Sequence, residues 1–183
     1  YCEDLSADDD RIVSTADDAS TLAADLERCP GIEFNVGWRG TIAVSQPFEL
    51  TESTTLRISG ENKAESVLHG GGDSTLFQVF DFSELYLEDL RLTGGYGDNG
   101  GALAASGGAS ITFVNCDICG NRASANGGAI HLDGGSSFSS GGVNFTGNAA
   151  DVYGGAIYAQ DRSIVRTEDG TTNLFHDNTA MLG

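Results

Sequence analysis

Four cysteines, three histidines, one acidic run and one glycosylation triplet are the side chains here whose chemistry could set a function. Cys2 and Cys29 flank a segment with helical character, and a disulfide between them would staple the acidic N-terminal segment over that helix. Cys116-Asp117-Ile118-Cys119 reads as a local disulfide, as a buried thiol plus a surface thiol, or as half a zinc site. Zinc needs two further ligands, and no second Cys-x-x-Cys exists, so no metal site is assigned. His69, His131 and His176 are too few and too scattered to argue a nucleophile-base-acid order, and His131 is expected to face solvent. Asp8-Asp9-Asp10 lacks the alternating ligands and the Gly turn of a Ca2+ loop, and reads as solvated charge. Asn144-Phe145-Thr146 is an N-glycosylation triplet. No catalytic residues and no cofactor are expected.

What must position these groups is a repeat. Gly127-Gly128-Ala129-Ile130 has copies at Gly100-Gly101-Ala102-Leu103 and Gly154-Gly155-Ala156-Ile157. A tetrapeptide returning at a fixed interval means one structural unit stacked on itself. The apolar alternation between the copies shares that interval. Phe77 and Val79 are followed by Leu103 and Ala105, Ile130 and Leu132, then Ile157 and Ala159. Leu85 and Leu87 lead to Ile111 and Phe113, Phe138 and Ser140, then Val165 and Thr167. Leu90 and Leu92 lead to Cys116 and Ile118, Val143 and Phe145, then Asn173 and Phe175 past an inserted loop at Glu168-Asp169-Gly170. Inward residues spaced by two denote short strands, three per coil. A coil cannot bury its own apolar face, so its neighbours complete it. The architecture expected is a three-faced parallel β-helix. Asn121, Asn148 and Asn178 follow the last column by three positions, with Gly95 in that place one coil earlier, and read as a structural ladder of stacked amides.

Ahead of the coils, Ala19, Leu22, Ala23 and Leu26 form one apolar helical stripe behind a Thr15 N-cap, ended by Pro30-Gly31. Such a helix can cover the open end of a stacked core. The whole chain, 1–183, reads as a single domain: an acidic segment and capping helix over 1–31, irregular opening coils over 32–75, and regular coils over 76–183 that are expected to continue further.

Outward positions form three rows: Gln78, Ala104, His131 and Tyr158; Tyr86, Thr112, Ser139 and Arg166; and Arg91, Asp117, Asn144 and Leu174. None gathers two carboxylates on adjacent coils, which a sugar hydrolase or lyase would need. In the Gly-Gly-Ala-Ile unit, Ala is expected outside and Ile or Leu inside.

Nine basic residues against 27 acidic ones give a formal charge of −18, which excludes nucleic acid and anionic membranes as partners. No apolar run reaches the roughly 20 residues of a spanning helix, so no membrane insertion is expected in this segment. The cysteines and the Gly-rich, acidic composition suit a secreted or cell-surface setting, with Tyr1 as a processed start.

The pairing of Gly-Gly-Ala-Ile/Leu with Phe145-Thr146-Gly147-Asn148, Phe175-His176-Asp177-Asn178 and the degenerate Ile118-Cys119-Gly120-Asn121 resembles the repeat of the polymorphic outer-membrane proteins, the chlamydia-type autotransporter adhesins. The resemblance covers about residues 76–183, and the remainder resembles the opening of pectin-lyase-like helices. It implies a right-handed helix and a surface-exposed passenger role. The expectation is therefore a non-enzymatic surface β-helix, an adhesin-like or structural subunit able to stack end to end into a fibre, which self-associates end to end or laterally or engages host or matrix surfaces and glycans. The alternative is a polysaccharide-binding or polysaccharide-active protein on the same fold.

Overall fold

The computed structural model describes residues 2 and 11–182. Its strands are all parallel and fall into four sheets. Sheet 1 contains seven strands: Arg11–Val13, Glu33–Trp38, Thr55–Gly60, Glu84–Glu88, Ser110–Val114, Ser137–Gly141 and Ile164–Thr167. Sheet 2 contains six: Thr41–Ala43, Val67–His69, Arg91–Thr93, Asp117–Cys119, Asn144–Thr146 and Leu174–His176. Sheet 3 contains five: Phe48–Leu50, Phe77–Val79, Leu103–Ala105, Ile130–Leu132 and Ile157–Ala159. Over the described residues, the chain is an all-β parallel solenoid with one short helix near the N-terminus. Each regular coil runs through sheets 3, 1 and 2 and then adds a two-residue strand the alternation does not announce. These strands, Tyr96–Gly97, Arg122–Ala123, Ala149–Ala150 and Thr179–Ala180, make sheet 4 at one corner.

The columns read from the sequence are the pairing registers. Phe77, Leu103, Ile130 and Ile157 are Cα partners in succession, as are Leu85, Ile111, Phe138 and Val165, and Leu92, Ile118, Phe145 and Phe175. Stacking like on like lets rings meet. Phe145 lies 4.8 Å from Phe175 with the planes 6° apart, and Phe48 lies 5.5 Å from Phe77. Full burial of each such side chain contributes on the order of 1.5–3 kcal/mol. The polar intruders in the later coils satisfy one another. Asn173 Nδ2 donates to Ser140 Oγ (2.9 Å) and Thr167 Oγ1 (3.1 Å), and its Oδ1 accepts from the Val143 N–H (2.9 Å).

The two glycines of each Gly-Gly-Ala unit serve different ends. Gly127 has φ of +67°, and a Cβ there would sit 2.2 Å from the Ile130 carbonyl oxygen. Gly128 has no such φ, yet a Cβ would lie 2.1 Å from the carbonyl oxygen of Gly155 in the next coil. The first glycine turns the chain; the second lets coils close to contact distance. Ala102, Ala129 and Ala156 are buried rather than outward. A bend before the strand puts Ala129 and Ile130 both inside, breaking the alternation that placed Ala outside.

The helix spans Ala16–Arg28. Its N-terminus is a reciprocal capping box: Thr15 Oγ1 accepts from the Asp18 N–H (3.1 Å) and Asp18 Oδ2 accepts from the Thr15 N–H (2.9 Å). A second bond, from the Ser14 N–H, joins it in holding the Asp18 carboxyl below the usual carboxylate range. The predicted stripe of Ala19, Leu22, Ala23 and Leu26 is buried, against the strands Phe48–Leu50, Arg11–Val13 and Thr41–Ala43. The helix therefore seals the N-terminal end of the core.

Candidate functional site

A solenoid offers its chemistry on outward rows, and sheet 2 carries the densest one. Asp117 Oδ1 accepts from Lys63 Nζ (2.9 Å) and from Asn144 Nδ2 (2.8 Å), while Oδ2 accepts from Arg91 Nη2 (3.3 Å). Arg91, Asp117 and Asn144 are consecutive partners in one register, as their spacing predicted. Lys63 was not legible. It sits in the irregular loop after Thr55–Gly60 and reaches the row from the side, where no periodicity reports it. Partial burial would raise the Asp117 pKa, but the Lys63 and Asn144 donors outweigh it and hold the carboxyl below its usual range. A groove of about 460 Å3 opens beside this cluster, bordered by Cys119, Thr146 and His176.

On sheet 3, His131 is not solvent-facing. It is 8% exposed, because Tyr158 one coil on stacks over the imidazole at 5.6 Å and Tyr153 lies against Tyr158 at 6.2 Å. Burial pushes the His131 pKa down, offset in part by Asp133. Asp133 and Asp161 approach each other at the turn after this sheet, outside the three rows. Gln160 Nε2 (3.1 Å) and the Gly134 N–H (2.6 Å) donate to Asp133 and hold it ionised. A general acid near neutrality needs the opposite shift, so Asp133 does not suit that role.

On sheet 1, a groove of about 490 Å3 lies between the ion pairs Arg39–Glu61 (2.8 Å) and Arg57–Glu33 (3.1 Å), with Tyr86 beneath Arg57. Here each cation already has its own carboxylate.

The other predicted residues are placed as follows. Cys2 and Cys29 form a disulfide with Cα atoms 5.5 Å apart. Cys116 and Cys119 are both free thiols, one buried and one partly exposed, which is the second of the three expected arrangements and not the local disulfide. Cys116 points into the core, where it donates to the Val114 carbonyl (3.2 Å), and Cys119 faces the groove, so the two are on opposite sides of the wall. Burial pushes the Cys116 pKa up to about 12. The Asn ladder is continuous. Asn178 Oδ1 accepts from the N–H and Nδ2 of Asn148, Asn148 Oδ1 from those of Asn121, and Asn121 Oδ1 from the Gly95 N–H. Asn144 faces outward, but the nitrogen a glycan would occupy is the one that donates to Asp117. Asp8, Asp9 and Asp10 lie outside the described residues. Among the described residues, no helix is long and apolar enough to cross a membrane, and no three His, Cys, Asp or Glu side chains are grouped to hold a metal ion.

The model of the Chlamydia polymorphic membrane protein repeat matches residues 115–133 and 142–160. No curated protein and no solved structure matches. Each matched stretch begins at the corner before sheet 2, passes through the ladder Asn and sheet 4, and ends on sheet 3 with Gly-Gly-Ala-Ile. The matched unit is therefore the part of the coil held by the ladder and by the close glycine contacts. The chain is a parallel β-helix built with repeats of the Chlamydia polymorphic membrane protein type.

Proposed function

We propose that this chain is a non-enzymatic, surface-exposed β-helix segment, adhesin-like or structural, that presents its outer rows to a partner and stacks through its last rung. The observation that carries the reading is the repeat match, which falls on coils whose recurring residues are spent on turning and stacking the chain. Gly127, Gly128, Asn121 and Asn148 all serve the wall. No reacting atom needs them.

Stacking is supported by the last described rung. Val165 is 46% exposed and Phe175 58%, while their column partners one coil earlier, Phe138 and Phe145, are buried. A further coil of the same geometry, in cis or from a second copy, would bury them. An extracellular location and a glycan on Asn144 belong to the same reading. Deglycosylation of protein secreted from eukaryotic cells tests the latter by mass shift.

Sedimentation and electron microscopy of the purified 183-residue chain test the former. Concentration-dependent association is expected. Discrete monomers at high concentration together with turnover of a polysaccharide would favour the other reading, a polysaccharide-active protein on this fold.

A further inference from the structure

Asn-Gly occurs twice in the chain, as Asn99-Gly100 and Asn126-Gly127, at the same place in successive coils, and Tyr153-Gly154 takes that place one coil on. The dipeptide carries latent chemistry. The amide nitrogen of the glycine can attack the Asn Cγ, and no side chain on the glycine obstructs the approach. The N–Cγ bond forms as the Cγ–Nδ2 bond breaks, and Nδ2 leaves as ammonia with the proton from the glycine nitrogen. Water then opens the cyclic imide at either carbonyl, giving Asp or isoaspartate. Water is the only co-reactant.

The fold withholds the nucleophile. The Gly100 N–H donates to the Asn126 carbonyl (3.0 Å) and the Gly127 N–H to the Tyr153 carbonyl (2.8 Å). Each glycine nitrogen is therefore locked by the coil that follows it. The Asn side chains are held unequally. Asn99 Oδ1 accepts from both the N–H and the Nδ2 of Asn126 (3.2 Å each), so the following coil pins it as well. The Asn126 side chain makes only the Nδ2 bond back to Asn99, and its Oδ1 is buried without a donor. Tyr153 has no amide to continue this second, shorter ladder. The locks also differ in depth. The coil that locks Asn126 is the last described one, where Val165 is 46% exposed and Phe175 58%. The coil that locks Asn99 has Phe138 and Phe145 buried in its core.

We propose that Asn126-Gly127 is a deamidation site gated by the last described coil: opening of that coil frees the Gly127 nitrogen, and the Asn126 amide is lost. In a stack each unit is held by its neighbours, so outer coils open before inner ones and Asn99 waits for two coils to open. The product does not fit the closed coil. A carboxylate at 126 has no hydrogen to offer Asn99 Oδ1. Isoaspartate lengthens the main chain by a methylene ahead of Gly127, where an added Cβ would already sit 2.2 Å from the Ile130 carbonyl oxygen. Deamidation therefore turns a reversible opening into a lasting one. The inference needs neither a partner nor end-to-end stacking and stands apart from the function proposed above.

The test is mass spectrometry of the 183-residue chain aged at low concentration in mildly alkaline buffer, with a second sample aged in concentrated urea. Cleavage after arginine separates Asn99, in 92–122, from Asn126, in 123–162, and fragment ions place each conversion on its residue. In urea the two sites are expected to convert at similar rates. In the folded chain Asn126 is expected to convert on the order of tenfold faster than Asn99, the margin set by the cost of opening a second coil. The thermal midpoint is expected to fall in step with conversion at 126. Phe175→Ala weakens the last described coil, whose Phe175 is already exposed, and is expected to speed Asn126 more than Asn99. Equal conversion at the two sites in the folded chain, including none at either, overturns the proposal. So does an Asn126 rate that Phe175→Ala leaves unchanged.

Discussion

At the scale of single residues, the ladder asparagines contribute most per atom. Asn148 Oδ1 accepts from both the N–H and the Nδ2 of Asn121, and its own Nδ2 donates to the Ile118 carbonyl (2.9 Å). Replacing it with Ala leaves these groups buried and unpaired, each costing about 1–3 kcal/mol. Asn148→Ala is therefore expected to lower unfolding free energy by roughly 2–4 kcal/mol in urea denaturation. Loss below about 0.5 kcal/mol, the range of a surface change, would refute the ladder as a stabilising element. His131 gives a pH-dependent counterpart. Its folded pKa lies below its unfolded value of about 6.5, so the unfolded chain takes up the proton first. The stability it contributes is fully present above pH 6.5 and declines as pH falls toward the lower folded value. His131→Phe keeps a ring against Tyr158 but cannot titrate. The urea midpoint of the parent is expected to fall more steeply than that of the variant between pH 6.5 and 5. Parallel curves would show that the histidine does not couple to folding.

At the scale of the element, the Gly-Gly-Ala-Ile unit decides how closely coils approach. Gly128 has an ordinary φ, so a substitution there tests contact rather than backbone strain. A methyl would meet the Gly155 carbonyl and the Ala149 backbone at 2.1 and 2.6 Å, and backbone in a stacked sheet has nowhere to go. Gly128→Ala is expected to cost at least about 3 kcal/mol, the upper end of core overpacking. Gly37, in a strand and likewise with an ordinary φ, would meet only Ile12 Cγ1 at 3.6 Å and the Arg11 carbonyl oxygen at 3.8 Å, both ordinary contact distances. Gly37→Ala is expected to leave the thermal midpoint nearly unchanged, and similar losses at both sites would contradict the close-contact role. The comparison also shows what periodicity can report. Leu103, Ile130 and Ile157 were legible because the same environment recurs at one interval. The inward turn of Ala129 was not, because it depends on a bend of one residue. The strands of sheet 4 are too short to alternate, and Lys63 reaches Asp117 from a loop with no register at all. The burial of His131 was missed for another reason: its cover comes from Tyr158 and Tyr153 stacked along the axis, and outward position on a strand says nothing about that.

At the scale of the whole molecule, the first and last described coils are unlike. The helix covers one end, with Leu22 and Leu26 buried beneath it, and the disulfide from Cys29 to Cys2 ties that cap down. At the other end, Ile164, Val165, Leu174 and Phe175 are 44–58% exposed. Of these, Val165 and Phe175 stand in the inward columns, and burying a side chain of this size contributes on the order of 1.5–3 kcal/mol. Opposing it is the formal charge of −18 on each copy. Bringing two such bodies together is disfavoured at low ionic strength, and the repulsion fades as the Debye length falls from about 30 Å at 0.01 M to 3 Å at 1 M salt. The 183-residue chain is therefore expected to associate more strongly as salt rises. Among the described residues the helix covers the first coils, so an isologous contact of the 183-residue chain through its last described rung closes at a pair. A fibre would require the helix to leave the other end, against its buried stripe and the disulfide. Sedimentation across a salt series should show a monomer-to-dimer shift, and the double variant Val165→Asp, Phe175→Asp should remain monomeric at every salt concentration while retaining the β spectrum of the parent. Association of that variant to the same extent as the parent would place the contact on the side walls instead. Fibres formed by the parent with its disulfide intact would show that the helix does not close the stack.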